Sequence, residues 1–179
     1  MTTTIAPGHV YWITGLAGAG KTTIGRLLHT HLQSIGQASV YLDGDVLREV
    51  FGHTQSHSLE QRRQLASQYG KMCHMLATQG IDVVCATISM FDDVRAWNRQ
   101  EIRHYHEIYL KVPIDVLVQR DQKALYSRAI AGQVSNVMGI DIPVEEPKCP
   151  DLELLNDGAL SPLQIVQHIV DHFHLEEKS

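Results

Sequence analysis

The stretch Gly15-Leu-Ala-Gly-Ala-Gly-Lys-Thr-Thr23 meets the spacing G-x-x-x-x-G-K-[ST] directly after the apolar run Val10-Tyr-Trp-Ile13. A strand that feeds such a loop into a helix is suited to hold phosphate. The glycines let successive backbone N–H groups point into one concavity, and Lys21 can reach the outer phosphates. Thr22 offers a hydroxyl to Mg²⁺ at a helix N-terminus whose dipole favours anions. Gly15, Leu16, Ala17, Gly18, Ala19, Gly20, Lys21, Thr22 and Thr23 are therefore the candidate donor contacts. The alternative is a glycine-rich turn that matches by accident. The strand before it and the helix after it speak against that.

A second chemical group follows the next strand-length run. Asp43-Gly-Asp-Val-Leu-Arg48 sets two carboxylates and a guanidinium just past the sheet edge. One carboxylate near Mg²⁺ and the γ-phosphate could orient or deprotonate an acceptor hydroxyl, and Arg48 could hold an acceptor anion in a bidentate fork. A solvated Asp-Gly turn is the plainer reading. The third strand ends Ala86-Thr-Ile-Ser89, with no carboxylate of the kind often found there in phosphate-loop enzymes. Residues 120 to 149 read as a mobile lid, with Arg120, Lys123 and Arg128 followed by Gly132, Asn136, Gly139 and prolines. Cations closing over transferred phosphate would neutralise charge and exclude water. Lys123 and Arg128 could equally be the solvated face of a helix.

These loops need a scaffold, and apolar runs of strand length alternate with helical patterns. Strands are expected at about 9 to 14, 39 to 42, 81 to 87, 105 to 112 and 152 to 155. Helices are expected at about 21 to 34, 59 to 79, 94 to 103, 114 to 131 and 162 to 173. Ser58 with Gln61 forms a capping box, Gly80 can close the second of those helices in the left-handed conformation, and Ser161-Pro162 caps the last. Such alternation implies an α/β fold with a parallel sheet covered on both faces and ligands at the carboxyl ends of the strands. The loops after strands one, two and three should converge.

At 179 residues the chain suits a single domain, 1–179, with a short disordered N-terminus at about 1–8. A formal net charge of −5 leaves no basic stripe, which argues against nucleic acid as a partner. The N-terminus lacks a basic n-region and a long apolar stretch, and no 18-residue apolar run occurs, so neither a signal peptide nor a membrane span is expected. A cytoplasmic enzyme fits these features. Cys73, Cys85 and Cys149 lack metal-ligand spacing and read as buried free thiols. The pairs His29/His31, His104/His106 and His172/His174 read as solvated or ring-packed rather than as a metal site. No Asn-Lys-x-Asp guanine motif occurs, which disfavours a GTPase switch.

The phosphate loop, Asp43-Gly-Asp-x-x-Arg48, Ser58-x-x-x-Arg62, Gly70, Gly80, Ile88-Ser89, Arg120-Asp-Gln-Lys-Ala-Leu-Tyr-Ser-Arg128, Ala131-Gly132 and Gly139-Ile-Asp-x-Pro143-x-Glu145 together resemble the adenylylsulfate kinase family. The resemblance covers about residues 9 to 157. It implies a three-layer P-loop kinase fold with a mobile lid, ATP-Mg²⁺ as donor, a nucleotide 3′-hydroxyl as acceptor and a homodimer. By position, Asp45 would be the base and, with Thr22, the magnesium-associated residue, with Asp43 beside it; Arg128 would contact ATP. Arg48, Arg62, Ile88, Ser89 and Lys123 match acceptor-binding positions. Ser89 also falls where the family carries a phosphoserine intermediate, which direct in-line transfer does not need.

The departures concern the acceptor side. Two phenylalanines that sandwich adenine in the family correspond here to His57 and Val137. Stacking contributes about 1–3 kcal/mol per base, so this loss weakens adenine binding by roughly tenfold to a hundredfold. An asparagine becomes Leu65, a nearby arginine becomes Gln68, and the arginine after the Ile-Ser-Pro segment becomes Asp92. The implied acceptor is therefore a different nucleotide conjugate, cytidine diphosphoramidate being one such compound in surface-polysaccharide pathways. Adenylylsulfate itself is the alternative, and a non-catalytic ATP-binding regulator is a third reading.

Overall fold

The structure, a computed structural model, describes residues 5–52, 58–121 and 124–176. All five residues of β1 (Val10–Thr14) are buried, because alternate side chains enter different apolar clusters. Val10 and Trp12 face one, Tyr11 and Ile13 the other. A strand covered on both faces belongs in the middle of a parallel sheet. That is where β1 lies, between β3 (Asp82–Ala86) and β4 (Tyr105–Lys111), with β2 (Ser39–Asp43) and β5 (Leu152–Leu155) outermost and every pairing parallel.

On one face, α3 (Leu59–Ala77) and α4 (Asp92–Glu101) contribute Leu65, Tyr69, Cys73 and Val94 to the first cluster. On the other, α1 (Lys21–Ser34) and α7 (Pro162–Phe173) bury Ile24, Leu28, Leu32, Ile165 and Ile169. The spacing of three and four residues puts each set on one side of its helix. Truncating a fully buried residue such as Leu28 to Ala would cost about 2–5 kcal/mol. Ser58 and Ser161 both form complete capping boxes, with Gln61 and Gln164. Gly80 adopts φ 81 after α3.

Several expectations need correction. The helix expected over 114 to 131 is two, α5 (Ile114–Arg120) and α6 (Leu125–Ile130). Asp121 sits at φ 29, and its carboxylate accepts the backbone N–H groups of Tyr126 and Ser127 at 2.9 and 3.1 Å. A side chain that competes for backbone donors in this way ends one helix and starts another. The acidic turn after β2 is itself a helix, α2 (Gly44–Val50), started by Asp43, whose carboxylate accepts from Asp45 N. α4 begins two residues earlier than expected. Cys73 and Cys85 are buried, but Cys149 is exposed. Residues 5–8 were expected to be disordered, yet Gly8 N donates to Ala77 O at 2.8 Å and Ile5 packs against Gly80.

Two of the paired histidines are packed with His9 at the amino edge of the sheet. His104 stacks on His9 with ring centroids 4.6 Å apart, and a ring nitrogen of His106 lies 2.9 Å from one of His9. No helix among the described residues is long and apolar enough to cross a membrane.

Candidate active site

Because β2, β3 and β1 are neighbours and parallel, their carboxyl ends bring three loops to one edge. The first is the phosphate loop. Gly20 heads α1 at φ 90, a left-handed conformation that favours glycine and turns the following N–H groups toward the concavity. Lys21 folds back so that its Nζ donates to Leu16 O at 2.7 Å, across the loop that a phosphate chain would enter. Burial lowers its pKa to about 8, an effect partly offset by the charges of Asp45 and then Asp43.

The second loop supplies the acids. Asp43 accepts three hydrogen bonds: from Thr22 Oγ1 at 2.9 Å, Tyr41 OH at 2.8 Å and Asp45 N at 2.9 Å. Partial burial raises its pKa, but those three bonds together outweigh it and hold the carboxyl below its ordinary value. Asp43, not Asp45, thus adjoins the phosphate-loop hydroxyl. Asp45 instead faces Arg48 across 3.4 Å. Gly44 packs closely against the third loop: a Cβ there would lie 3.2 Å from Thr87 Oγ1 and 3.3 Å from Ala86 O, tight enough to push those neighbours by a few tenths of an ångström. Oxygen donors from Thr22, Asp43 and Asp45 fit Mg²⁺, which takes one or two carboxylates and completes its shell from phosphate and water.

The third loop is held rigidly. Thr14 Oγ1 donates to Ile88 O at 2.5 Å, and the Thr87 and Ser89 hydroxyls lie 2.7 Å apart. Ser89 is only 7% exposed and sits at φ 23. A buried hydroxyl tied to its neighbour helps to fix this turn.

On the acceptor side, burial and then the nearby Arg48 lower the pKa of Arg62. Guanidinium stays charged nonetheless, so two converging cations favour an anion between them. Arg62 Nη2 also donates to Asn136 O at 2.8 Å. Leu65 is buried in the α3-side apolar cluster, Gln68 is exposed, and Asp92 bonds Arg95 and lies 3.6 Å from Lys148 Nζ. Ile88 packs against that same cluster. Val137 is only 5% exposed, enclosed by the α1-side cluster, so the surface it could offer to a base is small. His57 and Lys123 lie outside the described residues.

Of the three cations expected to close over phosphate, Arg120 at the end of α5 reaches the phosphate loop, and Lys123 is outside the described residues. Arg128 stands exposed on α6. Arg120 Nη1 donates to Gly18 O at 3.4 Å and its Nη2 to Asn156 O at 2.8 Å, while Asn156 Nδ2 donates to Ala19 O at 2.9 Å. Tyr126 OH donates to Ala17 O at 2.7 Å from a fully buried position. Four consecutive residues of the phosphate loop, 16 to 19, thus have their carbonyls held by Lys21, Tyr126, Arg120 and Asn156, and the Leu16 carbonyl also takes the Ala19 N–H at 3.1 Å. The sequence reading gave no role to Tyr41, Tyr126 or Asn156, although Tyr126 stands inside the Arg120–Arg128 motif and Tyr41 lies two residues before Asp43 on the same strand face.

Beside that loop lies a groove of about 570 Å³ bounded by Gly20, Thr23, Arg120, Asn156, Gly158 and Leu160. Its size suits a nucleoside. A phosphate loop with its carbonyls held, a nucleoside-sized groove on one side and two acids and two arginines on the other define a P-loop kinase. The adenylylsulphate kinase family model matches residues 7–155, and the chain belongs to that family. It is 40% identical over 148 residues to the cytidine diphosphoramidate kinase of Campylobacter jejuni, covering 83% of this chain and 86% of that one. It is 39% identical over 154 residues to the adenylyl-sulfate kinase of Chloroflexus aurantiacus, with 86% and 83% covered. The Mycobacterium tuberculosis APS kinase, solved in complex with AMPPNP and APS, superposes with a TM-score of 0.86 at 30% identity, covering 94% of this chain and 98% of that one. The chain is a phosphotransferase of the kinase type.

Proposed function

We propose that the protein transfers the γ-phosphoryl group of ATP to a hydroxyl, the 3′-hydroxyl, of a nucleotide conjugate such as cytidine diphosphoramidate, acting as a cytoplasmic homodimer. The observation that carries this reading is the acceptor side of the site. Leu65 is sealed in the core and Asp92 is engaged by Arg95 and Lys148, so neither position offers the polar or cationic contact that the family resemblance implies. The Campylobacter relative's activity on a cytidine conjugate agrees with that loss.

In this reading N–H groups of the phosphate loop and Lys21 bind the donor's phosphates, and Arg48 with Arg62 orients the acceptor's anionic bridge. Thr22 with Asp43 or Asp45 would hold Mg²⁺, which when bound would supply neutralisation of phosphate charge. The acceptor oxygen attacks the γ-phosphorus as the bond to the ADP oxygen breaks, and Asp45 takes the hydroxyl proton. The segment over 120–149 closes the site against water. A second reading, adenylylsulfate as acceptor, draws support from the intact Arg48 and Arg62 and from the Chloroflexus relative. A non-catalytic regulator is disfavoured because Lys21, Asp45 and Arg48 are all present. ³¹P NMR of products formed from ATP-Mg²⁺ with each conjugate separately tests the assignment. A new phosphomonoester on the cytidine compound supports it; turnover of adenylylsulfate alone overturns it.

A further inference from the structure

α4 starts without a cap of its own. Phe91 occupies the N-cap position and has no side chain able to accept a hydrogen bond; the Asp93 carboxylate takes the backbone N–H groups of Asp93 and Val94, which leaves that of Asp92 to a partner elsewhere. Glu145, more than fifty residues away in sequence, supplies one: its Oε2 accepts from Asp92 N at 2.5 Å. The same residue is held at three further points. Its Oε1 lies 3.4 Å from Arg63 Nη2, its carbonyl accepts from Arg95 Nη2 at 2.7 Å, and its N–H donates to Met90 O at 3.4 Å.

Both arginines are themselves fixed. Arg63 Nη1 bonds Asp93 at 2.6 Å, and the nearly buried Arg95 pairs through Nε with Glu107 on β4 at 3.0 Å. The chain from Tyr126 to Glu145 also touches the phosphate loop, through Tyr126 OH on Ala17 O and through Leu16 packed against Gly139. One segment therefore grips the donor loop at its start and the loop after β3 at its end.

We propose that Glu145 is a positioning residue: by capping α4 from across the site it locks the loop carrying Ile88 and Ser89 to the 126–145 segment, and so sets acceptor affinity. The carboxylate is well suited to this. An anion at a helix N-terminus is favoured by the exposed N–H groups, and Arg63 on α3, next to the acceptor-facing Arg62, keeps it aimed. The proposal rests on the acceptor-site reading, but not on which conjugate is used.

Its test uses Glu145→Ala and Glu145→Gln with whichever conjugate the unmutated protein phosphorylates, together with amide hydrogen exchange in the absence of substrate. Glu145→Ala is expected to raise acceptor KM about five- to tenfold, the factor that a lost cap implies, with ATP KM changed less than twofold. Exchange at residues 92 to 95 is expected to accelerate by a similar factor while residues 16 to 22 stay protected. Glu145→Gln keeps an oxygen for Asp92 N and loses the ion pair with Arg63, so it should retain most of the protection and fall between the two in KM. It also provides the readout should the alanine variant fold poorly. Unchanged exchange at 92 to 95, or equal rises in both KM values, overturns the proposal. Failure to phosphorylate the cytidine conjugate while adenylylsulfate is used would overturn the acceptor assignment only, since the Glu145 test then runs with adenylylsulfate.

Discussion

At pH 9 only about a tenth of Lys21 would hold its proton before ATP arrives, against about nine-tenths at pH 7, because burial brings the folded pKa to about 8. The protonated amine is the form that attracts the donor's phosphates. The specificity constant for ATP, which reports the free enzyme, should therefore fall about tenfold between pH 7 and 9. kcat at saturating ATP should stay level, since bound phosphate anions restore the proton. Stability should move the other way. An unfolded lysine titrates near 10.4, so between about pH 8 and 10 the unfolded chain holds a proton that the folded chain has lost, and raising the pH favours folding. Lys21→Met removes both dependences and lowers transfer by a few orders of magnitude while the fold survives. Steady-state kinetics at fixed ionic strength, paired with urea denaturation from pH 7 to 10, reads both. A flat specificity constant over that range, or a parallel fall in kcat, would refute the argument.

Three other substitutions separate roles within the site. Asp45→Asn should reduce turnover by about 10²–10⁴ yet leave ATP binding measurable by calorimetry, whereas Asp43→Asn, which disrupts bonds to Thr22 and Tyr41, should weaken both. Tyr126→Phe removes the hydroxyl that holds Ala17 O; it should lower stability by about 1 kcal/mol, or about 2–4 °C in Tm, and raise ATP KM while acceptor KM holds. Arg95→Met strands the buried Glu107 with Arg99 as its remaining partner. A loss approaching 3–5 kcal/mol at pH 7 is expected in chemical denaturation, shrinking toward pH 5 as Glu107, whose pKa burial already raises, takes up a proton.

The elements legible in the sequence were those whose signal is local. Apolar runs marked the five strands, Ser58 and Ser161 announced their helices, and the glycine spacing located the donor loop, because each depends on neighbours within a few residues. What escaped depends on distant partners. α2 has only seven residues and no clear apolar period, and it exists because Asp43 caps it and Tyr69 OH holds Gly44 O from α3. α4 begins at Asp92 because Glu145 accepts its first N–H. The break at Asp121 turned on one carboxylate choosing N–H groups five and six residues onward. Val137 looked like a flank for a base, yet two N–H···O bonds from Asn136 and Val137 to Asp141 fold that turn into the core. That Thr22 bonds Asp43 was not legible either, since only the fold brings the two together.

The acceptor is the central claim, and competition reads it most directly. Adenylylsulfate and cytidine diphosphoramidate, mixed in equal amounts with ATP-Mg²⁺ and followed by ³¹P NMR, give the ratio of specificity constants in one tube. The account predicts that a phosphomonoester signal grows on the cytidine conjugate first, with adenylylsulfate consumed slowly or left intact, because its base has lost a stacking sandwich and Leu65, Gln68 and Asp92 replace the family's polar contacts. Preferential consumption of adenylylsulfate would contradict it and assign this chain the activity of its adenylyl-sulfate kinase relatives.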